Sequence, residues 1–197
     1  LKRHGRVEMN IGTLAGPARS EMPPAATRPA HEVRELRSPW YDYASYQPCL
    51  ERFFPPPQLL RHVDAGEVAR NRQLLEGCVA VCAKYGLGQS ISLHEPFYLP
   101  EAFFEANPHL RGPRVDHPRR SVDPAYAICT DQKEALEMYR QMMADLVKAA
   151  PDLGTVRLSA NDAGAGFCWS GWLYPGHNGP IDCEGTSTPA RVGKFLD

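Results

Sequence analysis

The ten residues "LGQSISLHEP" (87–96) have the pattern of a short β-strand that ends at a charged residue next to a proline. The segment before them, residues 64–86, carries apolar side chains at helical spacing. Asp64 and Glu67 have the spacing of a capping box, and Gly86 is a typical helix stop. The chain therefore predicts a helix that leads directly into a strand.

The same order occurs again further along the chain. A second helical pattern begins near Asp131 and ends before Pro151, and "TVRLSA" (155–160) then alternates apolar and polar side chains as a strand does. A last helix is predicted to begin with Thr188 as its N-cap. Two weaker strand patterns occur at 7–14 and 33–37. Alternation of helices and strands predicts a parallel β-sheet.

The loops after the two clear strands, residues 95–130 and 161–187, are much longer than the turns before them. Parallel α/β folds bind ligands on that side of the sheet. An open doubly wound sheet and a closed barrel both fit, but no strand is followed by GxGxxG, which favours a (β/α) TIM-type barrel. Such a barrel takes about 250 residues. We therefore predict an incomplete barrel over 31–197, with an N-terminal segment, 1–30, of undetermined structure.

Composition limits the classes of partner. The 197 residues include 22 Lys and Arg against 23 Asp and Glu, a formal charge of −1, so the sequence has no basic field for nucleic acid or a membrane surface. It also has no apolar run of membrane-spanning length and no visible signal peptide. This pattern slightly favours the cytoplasm, but the compartment stays open because the chain begins at Leu1 and not at Met. The sequence does not determine the oligomeric state.

One carboxylate follows each clear strand: Glu95 in "SLHEP" and Asp162 in "SANDAG". The carboxyl ends of parallel strands meet at one side of a barrel, so we expect these two acids to share a pocket. Paired carboxyl groups are what glycoside hydrolysis requires. We predict Glu95 and Asp162 as the catalytic pair, without deciding which is the acid and which is the nucleophile or base.

Aromatic and amide side chains follow the second strand in "SANDAGAGFCWSGWLYPGHNGP" (159–180), and "SPWYDY" (38–43) repeats the theme. Flat apolar faces with a few polar groups suit a sugar. The predicted substrate-binding residues are His94, Asn161, Trp169, Trp172, Tyr174, His177, Asn178, Trp40 and Tyr41. No cofactor is predicted. A divalent metal held by His94, Glu95, Asp116, His117 and Asp162 is chemically possible, but no local spacing requires it.

Two motifs resemble known enzymes. "SLHEP" is similar to the Asn-Glu-Pro signature of retaining barrel glycosidases, with His94 in place of the Asn. From residue 64 onward, "YGLGQSISLHEPFYLPEAFFEANPHLRG" and "PDLGTVRLSANDAGAGFCWSGWLYPGHNGP" resemble the catalytic barrel of bacterial glycoside hydrolases of the hexosaminidase-like or α-glucuronidase-like superfamily. The resemblance implies a barrel, a carbohydrate ligand and Glu95 as acid/base.

The leading hypothesis is a carbohydrate-active enzyme that hydrolyses a glycosidic bond. Two alternatives stay open at this point. A metal-dependent sugar isomerase or epimerase would use His and carboxylate ligands from the same strand ends, and a barrel that binds carbohydrate without catalysis would use the aromatic residues alone.

Overall fold

A computed structural model of the chain describes residues 7–13, 48–96, 98–114, 125–159 and 186–197. These ranges contain six strands: β1 (Glu8–Asn10), β2 (Gly88–His94), β3 (Tyr98–Pro100), β4 (Arg111–Arg114), β5 (Ala125–Ile128) and β6 (Leu153–Ser159). They also contain four α-helices: α1 (Ala65–Tyr85), α2 (Glu101–Ala106), α3 (Lys133–Ala149) and α4 (Thr188–Leu196). Three short 3-10 helices complete them: η1 (Leu50–Arg52), η2 (Pro57–Leu59) and η3 (Pro108–Leu110).

Helix α1 confirms the predicted start and stop signals. The Asp64 side chain accepts a hydrogen bond from the backbone N–H of Glu67 at 2.6 Å, which satisfies one of the free donors of the first turn. At the other end Gly86 has a φ of 61°, a left-handed conformation that glycine adopts without a steric penalty. The chain then turns directly into β2.

A parallel sheet joins β1, β2 and β6 in that order, with β2 in the centre. The register pairs Met9 with Gln89 and Leu93 with Leu158. The predicted strands at 7–14, 87–93 and 155–160 are thus confirmed within a few residues. Paired residues of a parallel sheet share a face, so Ile91 and Leu93 lie on the face that carries Met9. Helix α1 and the segment around η1 cover Ile91 and Leu93, which are buried.

A second, antiparallel sheet lies in the segment that the sequence predicts as one long loop, residues 95–130. Strand β5 is its centre and pairs with β3 on one side and β4 on the other. Close approach is required at Gly112, where a Cβ atom would lie 2.5 Å from the carbonyl oxygen of Ala127. The segment buries Phe103, Phe104 and Leu110 in the same core as β2.

The predicted TIM-type barrel is wrong for the described residues. They form one three-stranded parallel sheet and one three-stranded antiparallel sheet, with no eight-stranded barrel among them. The helix and strand patterns are local, and they do not determine whether a strand continues one sheet or starts another. After β2 the chain pairs with itself in the antiparallel sheet and returns to the parallel sheet only at β6. None of the described helices is long and apolar enough to span a membrane.

Candidate functional site

Glu95, the first residue after β2, is 1% exposed, and both of its carboxylate oxygens accept hydrogen bonds. The backbone N–H of Leu50, the first residue of η1, donates to Oε1 at 2.7 Å. The hydroxyl of Tyr139, on α3, donates to Oε2 at 3.0 Å. The adjacent His94 also joins β2 to the segment before η1, because its backbone N–H donates to the carbonyl oxygen of Pro48 at 2.8 Å. Glu95 is therefore held where β2, η1 and α3 meet.

The η1 segment is held in turn by α1. Asn71, fully buried on α1, donates from Nδ2 to the carbonyl oxygen of Arg52 at 3.1 Å. Arg72 donates from Nε to the carbonyl oxygen of Phe53 at 2.5 Å. The Arg52 side chain lies 3.1 Å from a carboxylate oxygen of Glu67. These contacts satisfy backbone groups that a 3-10 helix leaves unpaired, and they fix η1 against the end of β2.

A second buried carboxyl group, Glu51, lies on η1 and is 4% exposed. Burial raises the pKa of Glu51 to about 7, against the lowering effects of hydrogen bonds and of the Arg52 charge. A charged group that leaves water without full compensation shifts toward its neutral form. Glu51 therefore exchanges its proton near neutral pH.

The thiol of Cys49 is affected by both carboxyl groups. Burial, and after it the charges of Glu51 and Glu95, raise the pKa of Cys49 well above its ordinary value. Cys49 is fully buried and forms a side-chain hydrogen bond with Glu51. A thiol is a nucleophile only as the thiolate, so this environment keeps Cys49 unreactive.

A small cavity of about 10 Å³ opens beside Glu51, with room for about one water molecule. Glu51 and Tyr139 are its polar lining residues. The remaining lining residues are apolar: Leu59, Leu99, Ile128, Met138 and Met142. Oε1 of Glu51 is buried and has no hydrogen-bond partner among the described residues, which is uncommon for a buried polar atom.

Glu51 is the residue that the sequence analysis missed. It lies in "PCLERFF" (48–54), where one acid is enclosed by Cys49 and Leu50 on one side and Phe53 and Phe54 on the other. An acid within such an apolar run is the signal that could have marked it as buried. The sequence instead predicts a site at the ends of strands, because the helix and strand patterns around 64–94 are clearer.

Of the predicted site, the described residues include only His94 and Glu95. Glu95 is buried at the end of its strand, and His94 is half-buried beside it. The other predicted site residues lie outside the described ranges: Asp162, Asn161, Trp169, Trp172, Tyr174, His177, Asn178, Trp40 and Tyr41. The pairing of Glu95 with Asp162 thus stays a prediction.

The described residues hold no group of three His, Cys, Asp or Glu side chains arranged to bind a metal ion. Three of the five residues that the sequence offered as ligands, Asp116, His117 and Asp162, lie outside the described ranges.

Comparisons of the chain with protein-family models, with curated proteins and with solved structures found no match. The resemblance to glycoside hydrolases therefore stays a prediction from sequence motifs.

Proposed function

We propose that the chain hydrolyses a glycosidic bond, with Glu95 and Glu51 as its pair of carboxyl groups. The observation that carries the proposal is that both buried acids lie near Tyr139, which donates to Glu95 and lines the same small cavity as Glu51. Two carboxyl groups in different environments can take different protonation states, which is the requirement for acid and base in one site.

The hydrogen bonds of Glu95 and the pKa of Glu51 support an assignment of the two roles. Both oxygens of Glu95 act as acceptors, toward Leu50 N–H and Tyr139 O–H, which is the arrangement of an ionised carboxylate. Glu51, with a pKa of about 7, still carries its proton in much of the population at neutral pH. We therefore assign Glu51 as the general acid and Glu95 as the base or nucleophile.

In the proposed reaction the bond between the anomeric carbon and the leaving oxygen breaks, and Glu51 transfers its proton to that oxygen. The new bond to the anomeric carbon is made by a water that gives its proton to Glu95, or by Glu95 itself, which water then displaces. The first route inverts the anomeric configuration and the second retains it. The configuration of the first product distinguishes them.

The carbohydrate class is supported by the sequence. The aromatic residues of 159–180 and of 38–43 are of the kind that contact sugar rings, and both stretches lie outside the described residues. The Asn-Glu-Pro-like "HEP" motif places Glu95 at the acid/base position of the enzymes that it resembles. In the site described here, the hydrogen-bond pattern instead favours the base or nucleophile role for Glu95.

The test compares hydrolysis of a panel of aryl glycosides by the full chain and by Glu95→Gln, Glu51→Gln and Glu137→Gln. Glu137 is the matched control, because its side chain on α3 is 73% exposed. Acid–base catalysis contributes about 10²- to 10⁴-fold, so we expect losses of that size in kcat for the first two variants and none for the control. Circular dichroism checks that each variant is folded.

The pH profile tests the role of Glu51 separately. A general acid must be protonated, so the rate should fall as pH rises through about 7, the pKa of Glu51. In Glu51→Gln the remaining rate should not fall as pH rises through about 7. Unchanged rates in folded Glu95→Gln and Glu51→Gln would reduce both acids to structural roles. Binding of sugar by a wild-type chain that turns nothing over would instead indicate a binding module.

A further inference from the structure

The C-terminal helix α4 is tied to the start of α3 by a buried ion pair. Arg191, 8% exposed, donates from Nε to Oδ2 of Asp131 at 2.8 Å, and its Nη2 contacts the same oxygen. Lys194 adds a hydrogen bond from Nζ to the carbonyl oxygen of Asp131 at 2.6 Å. Sixty residues of sequence separate Arg191 from Asp131, so this contact is made by the tertiary fold alone.

One helical turn after Arg191, Phe195 contacts the ring of Tyr139. The two ring centroids are 5.2 Å apart and the planes are inclined by 83°, an edge-to-face arrangement that aromatic pairs prefer. Tyr139 is the residue whose hydroxyl donates to Glu95. A continuous series of contacts therefore runs from α4 through Phe195 and Tyr139 to the carboxylate of Glu95.

We infer that α4 positions the Glu95 carboxylate: Arg191 sets the helix on α3, Phe195 fixes the Tyr139 ring, and Tyr139 orients Glu95. Arg191 and Phe195 are thus positioning residues of the site, an inference that rests on the proposed function for its catalytic consequence. Its structural part stands without that function.

The burial of α4 supports a positioning role over a general stabilising one. Arg191 is the only buried residue among the nine of α4, and Leu196 is 66% exposed. Helix α4 adds little apolar burial, and its contacts within the described residues include those to Asp131 and Tyr139. Without the Phe195 ring beside it, the Tyr139 ring can tilt. The hydrogen bond from its hydroxyl to Glu95 then lengthens or breaks.

The first test measures access to Cys49, which is fully buried and directly precedes Leu50, whose N–H donates to Glu95. The full chain is treated with iodoacetamide and the alkylation of each cysteine is followed by peptide mass spectrometry. Cys82 on α1 is also fully buried and serves as an internal control for global unfolding. For Phe195→Ala and Arg191→Gln we expect about tenfold faster labelling of Cys49 through local opening, with Cys82 unchanged.

Three further variants sharpen this test. Leu196→Ala, on the same helix, should leave Cys49 labelling unchanged, and Arg191→Lys should restore much of the protection. Tyr139→Phe should reproduce the effect, and adding Phe195→Ala to it should cause no further increase if Phe195 acts through the Tyr139 hydroxyl. Equal acceleration at Cys49 and Cys82, no acceleration at either, or additive effects in the double variant would each overturn the inference.

Activity provides the second readout. With an aryl glycoside that the wild type hydrolyses, Phe195→Ala should lower kcat by about tenfold with KM little changed, as expected when a positioned group is displaced by a fraction of an ångström. An unchanged kcat together with selective Cys49 labelling would overturn the catalytic part of the inference. If the wild type hydrolyses no glycoside, the proposed function fails, while the labelling experiment still decides whether α4 positions Glu95.

Discussion

Strands β2 and β6 are neighbours in one sheet and differ sharply in burial. Their register pairs Ile91 with Val156 and Leu93 with Leu158, so each pair shares a face. Ile91 and Leu93 are 1% and 0% exposed, whereas Val156 and Leu158 are 37% and 40% exposed. The two strands have similar alternating patterns in the sequence, yet only β2 lies within the core.

The difference follows from what packs on each strand. Central β2 has a hydrogen-bonded strand on both sides and is covered by α1 and η1, and its carboxyl end carries the buried Glu95. Among the described strands, β6 is at the edge of the sheet. The candidate site lies at the enclosed strand because exclusion of water strengthens hydrogen bonds and shifts protonation equilibria.

The largest expected contrast is between two leucines that face each other in the register. Leu93→Ala should lower the free energy of unfolding by about 2–5 kcal/mol, because it leaves a cavity in the core. Leu158→Ala should cost under about 1 kcal/mol, since much of that side chain already contacts water. Urea unfolding measures both. Equal losses would mean that β6 is as well covered as β2.

A smaller contrast is expected between Glu95 and Arg157, an exposed residue of β6. Glu95→Ala removes the acceptor for the N–H of Leu50 and for the hydroxyl of Tyr139, and an unsatisfied buried donor costs about 1–3 kcal/mol. Arg157→Ala should stay within about 0.5 kcal/mol. Thermal unfolding followed by circular dichroism measures both variants. If Glu95→Ala left the stability unchanged, that result would contradict the anchoring of η1 by this carboxylate.

The last expected effect is a gradual pH dependence of stability that comes from Glu51, near the carboxyl end of β2. The pKa of Glu51 is raised from 4.5 to about 7, so the folded state binds the proton more tightly than the unfolded state. Its contribution is fully present below about pH 4.5 and is lost as pH rises through about 7, by about 1 kcal/mol per pH unit.

The measurement is the difference in unfolding free energy between wild type and Glu51→Gln at several pH values from 4.5 to 8. The stability of the wild type relative to Glu51→Gln should decrease as pH rises from 4.5 to 8. Asp152→Asn, an exposed acid just before β6, is the control and should keep the wild-type slope. A difference between wild type and Glu51→Gln that is the same at every pH would contradict the raised pKa.

Much of the local structure could be predicted from the sequence. The N-cap at Asp64, the stop at Gly86 and the strand that begins near Thr155 each depend on neighbouring residues, and each is confirmed within a few residues. The last helix begins one residue away from the predicted position, with Ser187 as its N-cap. The barrel prediction failed because closure of a sheet depends on pairings between distant strands, and the antiparallel sheet after β2 changes those pairings.

In the candidate site, too, the local feature was predicted and the long-range contacts were not. Glu95 was predicted from its position after a strand, and the structure places it there, buried. Glu51 and Tyr139 were not predicted, because Glu51 comes 44 residues before Glu95 and Tyr139 comes 44 residues after it. No local pattern connects residues at such distances.

By itself, the sequence determined the approximate bounds of α1, β2, α3 and β6 and which acid closes the central strand, because these features depend on hydrogen bonds and side-chain periodicity over a few residues. Only the tertiary structure decided that β2 is enclosed while β6 is at the edge, and that Glu51, Tyr139 and α4 gather around Glu95. Burial and the pKa of a carboxyl group depend on every segment that excludes water from it, and those segments are distant in the chain.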